Sequence, residues 1–412
     1  MLLVGAACDA PPAPKPPPSL FPVCVDDQWG FIDRTGKIVI SPRFARAMSF
    51  SEDRAAVNIG GKWVKEPTEH GSWTVFRGGA WGYCDPEGNM AIEATFEDAR
   101  DFSEGLAAVR IDGKWGHVDL IGRMVVEPRF AWAGGFHEGL AAVGLRPDET
   151  EIEARLCGFI DRTGRLVIPA KYPDAKPFSD GLAAVCITWP SAENMGLEQW
   201  AFVDHKGRLL HDRTYRFVLP FSERLAAVFK GDWTIEYINP AGHTVFVAQR
   251  PDGQPLEAHY FFGRWRGYKD EAGSFSEGLA PFKIDAHEIH LYMDGPGHGF
   301  YYEGGTWGFL DKRGRIVVKP RFADAQPFSE GLAAVAETRT VDTPHDDGTE
   351  TVRTFRKWGY IDRTGRTVID MQFDTAGPFQ NGVARVEIGD DWHDRSIGYI
   401  DKTGRYVWQP RK

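Results

Sequence analysis

One arrangement of residues recurs along this chain and limits what it can fold into more than any other feature. Trp29-Gly30-Phe31-Ile32-Asp33, followed by Gly36, returns as Trp81-Gly82-Tyr83-Cys84-Asp85 with Gly88 and as Trp115-Gly116-His117-Val118-Asp119 with Gly122. Further copies open at Cys157, Trp200, Ile235, Trp307, Trp358 and Ile397. Each full copy continues to an aromatic residue such as Phe44, Phe130, Tyr172, Tyr215 or Phe322. It then enters a block typified by Phe328-Ser329-Glu330-Gly331-Leu332-Ala333-Ala334-Val335. In seven copies the opening position and the last residue of this block are 28 apart, as from Trp29 to Val57 and from Trp358 to Val386; the copy opening at Ile235 carries extra residues. Spacing held this tightly means that one supersecondary unit is stacked repeatedly, each copy burying its faces against its neighbours.

The unit reads as β-structure. In Phe31-Ile32-Asp33-Arg34-Thr35-Gly36, Asp stands first and Gly fourth in a turn, the type I preference, with Gly free to take positive φ. The Asp carboxylate can accept from the turn backbone, so Asp33, Asp85, Asp119, Asp161, Asp204, Asp311, Asp362 and Asp401 are expected turn-makers. On either side lie short β-branched and aromatic runs, Gly30-Phe31-Ile32 and Lys37-Ile38-Val39-Ile40, as strands require. Between Val109 and Trp115 only Arg110 to Lys114 intervene, a hairpin loop, so the Ala-Ala-Val strand pairs with the Trp-Gly strand that follows it.

In that phase the chain is an all-β tandem repeat of about nine three-stranded antiparallel meanders, joined by Pro-Arg-Phe crossovers. Val23-Cys24-Val25 precedes the first Trp-Gly block and Tyr406-Val407-Trp408 ends the last, which leaves whole meanders and no split unit. This favours an open curved stack; a closed propeller-like toroid is the alternative.

These residues resemble the WG-repeat family, whose units carry a Trp-Gly-aromatic-Ile-Asp core, and the resemblance covers nearly the whole chain after Phe21. The family is defined by its repeat and is not tied to one activity, so the resemblance implies an architecture more than a function. Residues 21–412 are accordingly read as the array, with longer hairpin insertions near 58–80, 250–274, 283–306 and 336–357. Residues 1–20 form an apolar N-terminus and a Pro-rich tether.

Met1 to Ala7 is apolar and ends in small residues before Cys8, and Asp9 to Pro18 is a Pro/Ala tract suited to an extended tether. The pattern resembles the end of a bacterial lipoprotein signal, although no basic segment precedes it and Gly5 stands where Leu is preferred. It implies a lipid anchor on Cys8 and a place in the cell envelope or periplasm, against a plain N-terminus on a cytoplasmic protein. Beyond it, no apolar run is long enough to cross a bilayer.

Acidic residues outnumber basic ones, 58 to 48, and the net charge of -10 has no basic stripe to offset it, which excludes nucleic acid as a partner. Cys8, Cys24, Cys84, Cys157 and Cys186 show neither metal-ligand spacing nor the density of a disulfide scaffold; they read as packed thiols.

Features shared by every copy build the scaffold, so function belongs in what differs between copies. From the Ala-Ala-Val block to the next Trp-Gly position the gap is 6 residues between Val109 and Trp115, 24 between Val57 and Trp81, 25 between Phe282 and Trp307, and 23 between Val335 and Trp358. All this expansion falls in the same hairpin, so stacking would set the longer tips along one edge. Trp63, Trp73, Trp189 and Trp392 lie there, outside the repeated Trp position, and are the candidate anchors for a protein or an envelope glycan.

The densest chemical cluster is Asp285-Ala286-His287-Glu288-Ile289-His290 with Asp294 and His298. His287, His290 and His298 could hold a transition metal, although the helix-borne His-Glu-x-x-His pattern is absent and Gly295-Pro296-Gly297 marks a loop. Repeated Ser-Glu-Gly motifs supply carboxylates as a regular ladder, whereas a glycosidase needs one particular pair. No nucleophile elbow, phosphate loop or dinucleotide fingerprint occurs, and no catalytic residue or cofactor is assigned. The expectation is a non-enzymatic scaffold acting through its hairpin tips. A carbohydrate or cell-wall binding module is the alternative, and a metal-dependent hydrolase ranks third.

Overall fold

A computed structural model describes residues 19–68, 71–145, 156–188, 198–257, 271–292, 298–344, 350–389 and 396–411. Among these residues there is no helix, and nine small antiparallel sheets form, one around each repeat, besides a two-stranded hairpin at Lys62–Thr68 and Gly71–Arg77. The unit has four strands, one more than expected. In sheet 3 these are Asp98–Ala99, Leu106–Ile111, Lys114–Asp119 and Met124–Phe130, paired in chain order. The extra first strand is two residues long and turns into the Leu-Ala-Ala-Val strand through Ser103-Glu104-Gly105-Leu106. Glu104 and Gly105 both have positive φ, 52° and 77°, and Ser103 and Leu106 exchange backbone hydrogen bonds, which is a two-residue primed hairpin turn. Sheet 5 keeps only Ala183–Cys186 and Trp200–Val203 as full strands, completed by isolated bridges such as Ala175 to Val185 and Trp200 to Tyr215.

The aspartates perform as expected. Asp33 Oδ1 accepts the Thr35 N–H at 2.8 Å and the Lys37 N–H at 3.1 Å, while Gly36 turns the chain at φ 84°. The bond from the Thr35 hydroxyl, ahead of the backbone ones, holds the Asp33 carboxyl below the usual carboxylate range.

The glycine of each Trp-Gly pair answers a different need. Trp29 pairs with Phe44 and Phe31 with Ile40, so three residues of one strand face five of the next, which bulges at Pro42. The bulged backbone passes over Gly30, where a Cβ would stand 2.5 Å from the Ile40 oxygen and 2.6 Å from the Pro42 nitrogen. Gly82, Gly116, Gly158, Gly308 and Gly359 meet the same obstruction from their own fourth strands. The tryptophan beside it is buried at Trp81, Trp115 and Trp200 and half-buried at Trp29, Trp307 and Trp358.

Consecutive sheets pack face to face. The aromatic after Trp-Gly meets the phenylalanine that follows the next sheet's short first strand, with ring centroids 4.8 Å apart for Phe31 and Phe50, 4.8 Å for Tyr83 and Phe102, and 4.9 Å for Phe309 and Phe328. Tyrosines at this position also donate to the next first strand, as Tyr83 does to the Arg100 carbonyl at 2.7 Å and Tyr237 to that of Gly273 at 2.7 Å. Further links run through the turns. Ser51 donates to the Phe102 carbonyl at 2.7 Å, and the Glu104 carboxylate accepts the Gly139 N–H at 2.9 Å. Arg129 of a Pro-Arg-Phe segment donates to the Gly164 carbonyl at 2.6 Å.

The array is a closed ring, which overturns the expected open stack and fits the alternative. Eight hydrophobic clusters join sheets 1 to 9 in order, and a ninth joins Val383, Ile397, Tyr399 and Trp408 of the last sheet to Phe21, Val23 and Ile32 of the first. A split unit is not needed for this closure. Among the described residues the first sheet has three strands, Leu20–Val25, Gln28–Asp33 and Ile38–Phe44.

At the position of Phe21 the other eight sheets have alanine (Ala55, Ala107, Ala141, Ala183, Ala226, Ala280, Ala333 and Ala384), whereas the Phe21 ring packs on Tyr399 with centroids 5.6 Å apart. The Tyr399 hydroxyl donates to the Pro22 carbonyl at 2.9 Å. In sheet 3 the equivalent carbonyl, that of Ala108, accepts from the first strand at Arg100.

Candidate interaction surfaces

Because each sheet is an antiparallel meander in chain order, the turns before the second strand and after the third lie on one rim of the ring. The hairpins between second and third strands all open on the other. On that rim sheets 1 and 3 end in tight turns, at Asp26-Asp27 and Asp112-Gly113. Sheet 7 instead extends Leu279–Tyr292 against His298–Asp311, and sheet 8 extends Leu332–Pro344 against Glu350–Asp362. The variable hairpins therefore do share one edge, and their long arms are regular β-ribbons.

Sheet 2 carries the separate hairpin. Its departure is set by Asn58, which is fully buried and accepts the Gly61 N–H at 3.1 Å, and by Gly60, Gly78 and Gly79, all at positive φ. Trp63 is 53% exposed on this hairpin. Its ring meets Phe76 edge-on at 5.4 Å, and the Arg46 guanidinium lies 5.8 Å from Trp63 and 5.7 Å from Phe76. A cation beside two rings, with the indole half-exposed, is a platform for a partner carrying apolar and acidic groups. Sequence reasoning found Trp63 and missed Arg46, which comes from the preceding strand at Arg46–Ala47. Arg77 and Glu66 pair at 2.8 Å across the hairpin, and this bond holds Glu66 below its ordinary pKa. Sheet 8 adds Phe355, exposed at 37%, near Arg356, which pairs with Asp324 at 2.9 Å.

The remaining candidates fall otherwise. Trp73 pairs in register with Glu66, with its side chain outside the described residues; Trp189, Trp392 and Cys8 lie wholly outside them. His287 pairs with Glu303, His290 with Phe300 and His298 with Tyr292 along the sheet 7 ribbon, and their side chains are likewise outside the description. Among the described residues no group of three His, Cys, Asp or Glu is placed to hold a metal ion, and no helix is long and apolar enough to cross a membrane.

Cys84, Cys157 and Cys186 are free and buried, and Cys24 is free and half-buried. Burial pushes the thiol pKa up to about 12 at Cys84 and about 11 at Cys186, which leaves both protonated and inert. The Glu ladder is occupied too. The carboxylates of Glu52, Glu104, Glu138, Glu223, Glu277 and Glu330 each accept a glycine N–H from the next sheet's turn.

His117 takes the aromatic place in sheet 3. It is fully buried, its Nε2 lies 2.9 Å from the Gly134 carbonyl, and its Nδ1 has no hydrogen-bond partner. Burial, with a smaller contribution from Arg100, lowers its pKa, so the neutral Nε2–H tautomer donates to Gly134.

The geometry defines a closed ring of repeated β-sheets with one invariable and one variable rim. The WG containing repeat model matches residues 29–63, 81–115, 115–145, 158–188, 270–286, 307–337 and 358–392, and the chain belongs to that family. Among solved structures, BamB from Moraxella catarrhalis is 12% identical over 82% of this chain and 93% of its own, with a TM-score of 0.39. Apo AztD from Citrobacter koseri is 13% identical over 94% and 92%, with a TM-score of 0.39. The computationally designed protein Ika8 is 11% identical over 87% and 94%, with a TM-score of 0.40. No curated protein matches the chain.

Proposed function

We propose that this protein is a non-enzymatic interaction scaffold that binds a protein partner through the hairpin rim. The observation that carries this reading is the concentration of length variation, the insertion near 250–274 apart, in one hairpin on one rim, while the opposite rim repeats its hydrogen bonds from sheet to sheet. A catalytic centre would need a single convergent set of groups, and the repeated carboxylates are spent on backbone N–H groups instead. Replacing residues 60–79, or separately 338–356, by a two-residue Asp-Gly turn removes a ribbon while keeping its sheet. Affinity capture with the full chain and with each variant tests the reading: a partner held by the full chain is lost from one variant. Equal recovery by both would sink it.

The envelope is the proposed compartment, on the apolar segment ending at Cys8 and its Pro-rich tether. Labelling with a palmitate analogue in a bacterial host, compared with Cys8→Ser, tests the anchor, and absence of Cys8-dependent label refutes it. The half-exposed Trp63 ring also favours a second reading, binding of cell-wall glycan. Trp63→Phe separates this from protein binding, because glycan fragments would quench the fluorescence of the full chain and not of the variant.

A further inference from the structure

The hairpin of sheet 2 is built as an arm distinct from its sheet. The last pair of the sheet is Ile59 with Ala80, and the first pair of the arm is Lys62 with Arg77. Between them stand Gly60-Gly61 on one side and Gly78-Gly79 on the other, and Gly60, Gly78 and Gly79 have positive φ. These glycines break the ladder and let the ribbon leave the sheet at an angle of its own. The sheet 8 ribbon, by contrast, pairs without a break from Leu332 with Asp362 to Pro344 with Glu350. Arg46 ties the arm back to the ring, with its guanidinium 5.8 Å from the Trp63 ring and 5.7 Å from that of Phe76.

Alternation sorts the residues of the arm onto two faces. Trp63 pairs with Phe76 and Lys65 with Thr74, which places these four on one face, while Glu66 and Arg77 fall on the other. The charges divide in the same way. Glu66 is taken up by Arg77 at 2.8 Å on its own face. The Trp63 face has Lys65 on the arm and Arg46 at its foot; both are exposed, and neither has a carboxylate partner among the described residues. In a chain of net charge -10 this is a local surface of two cations around an aromatic pair, complementary to acidic groups.

The shape of the face narrows the choice of occupant. The Trp63 and Phe76 rings stand at 72° to one another, which makes a corner. A branched apolar side chain fills a corner, whereas a sugar ring stacks on a flat face. Lys65 lies two residues beyond Trp63, about 7 Å along the strand, and an extended peptide repeats the side chains of one face at the same interval. We propose that this face docks an extended acidic segment of a partner protein, in which one large apolar residue enters the Trp63–Phe76 corner and the residues two before and two after it are aspartate or glutamate, one facing Arg46 and the other Lys65. This assignment rests on the reading of the hairpin rim as a protein-binding edge and names the chemistry of one partner segment on it.

The probe is a fluorescein-labelled peptide, Gly-Glu-Ser-Leu-Ser-Glu-Gly, titrated against the full chain by anisotropy. Its control is Gly-Glu-Leu-Ser-Ser-Glu-Gly, which has the same composition and charge but moves leucine to the other face of the extended segment. Saturable one-to-one binding of the probe is expected, with the control weaker by about tenfold or more. Trp63→Ala should weaken the probe by about tenfold and Lys65→Gln by about threefold, both at exposed positions. Absence of saturable binding, equal binding of the reordered peptide, which needs no variant to fold, or binding unchanged by Trp63→Ala overturns the proposal. Affinity capture separates this from the broader reading: a partner lost on replacing residues 60–79 but retained by both Trp63→Ala and Lys65→Gln sinks the acidic-segment assignment alone, whereas a partner retained by both ribbon replacements sinks the rim reading.

Discussion

Gly158→Ala tests the account of the Trp-Gly pair. A Cβ there would lie 2.6 Å from the Ile168 oxygen, 2.7 Å from the Ala170 nitrogen and 2.8 Å from the Ala170 Cα, all of them backbone atoms. Real contacts need more than 3 Å, so the fourth strand must move off the third and stretch the pairing of Cys157 with Tyr172 and of Phe159 with Ile168. Overpacking in a filled core costs about 1–3 kcal/mol. Because the obstruction is backbone and not a side chain that can swing away, the upper end, about 3 kcal/mol, is expected. Gly231→Ala is the matched control, since nothing lies within 4 Å of its Cβ position and its φ is not positive. There the loss of chain freedom in the unfolded state should leave stability unchanged or raise it by a few tenths of a kcal/mol. Urea denaturation followed by tryptophan fluorescence should show a lower midpoint for Gly158→Ala and an unmoved one for Gly231→Ala. Equal midpoints would refute the steric reading and reduce the repeated glycine to an accident of descent.

His117 should make the ring sensitive to mild acid. Its folded pKa is depressed, so its contribution is complete above the unfolded value near 6.5 and declines as pH falls below it, by at most about 1.4 kcal/mol per pH unit. His117→Tyr, which restores the hydroxyl donor used by Tyr83 and Tyr237, should flatten the difference in urea midpoint between pH 7 and pH 5; an unchanged difference would assign it elsewhere. A thiol reagent applied to native Cys8→Ser protein should modify Cys24 and spare Cys84, Cys157 and Cys186, and rapid modification of all four would mean that the sheets open readily. Phe21→Ala removes the ring that closes the seam and should cost about 3–5 kcal/mol by the usual figure for a buried phenylalanine. A full-sized loss of midpoint checks it, whereas Ala107→Gly within sheet 3 leaves the seam intact.

The pairing of Ala-Ala-Val with Trp-Gly, the aspartate turns and the single edge of long hairpins were legible because each is local: a turn residue, an alternation, a gap length. The first strand was not. Asp98–Ala99 is too short to show alternation, and the turn after it uses Glu104 at φ 52°, a residue outside the Gly, Asn and Asp preference that announces primed turns. Closure was hidden for a different reason, since it joins Phe21 to Tyr399 and no spacing rule spans that distance. A trace was present even so: laid copy against copy, Phe21 and Arg385 are the large residues in two columns otherwise made almost entirely of alanine. On the hairpin rim, Trp63 stood out by being unrepeated, whereas Arg46 reaches it only through the fold.

Why the array closes follows from what an open one would expose. Its two free ends would present Phe21, Val23 and Ile32 on one side and Val383, Ile397, Tyr399 and Trp408 on the other, each now 9% exposed or less. Returning seven such side chains to water costs on the order of 10 kcal/mol. Open repeat arrays avoid this with terminal units whose outer faces are polar, and neither the first nor the last described sheet has such a face. The first and last sheets instead keep the apolar faces of interior repeats. They also carry the two residues that depart from the repeat, Phe21 and Arg385. Closure thus follows from the repeats themselves: the copies meet around a ring because none of the described sheets is built to end an array.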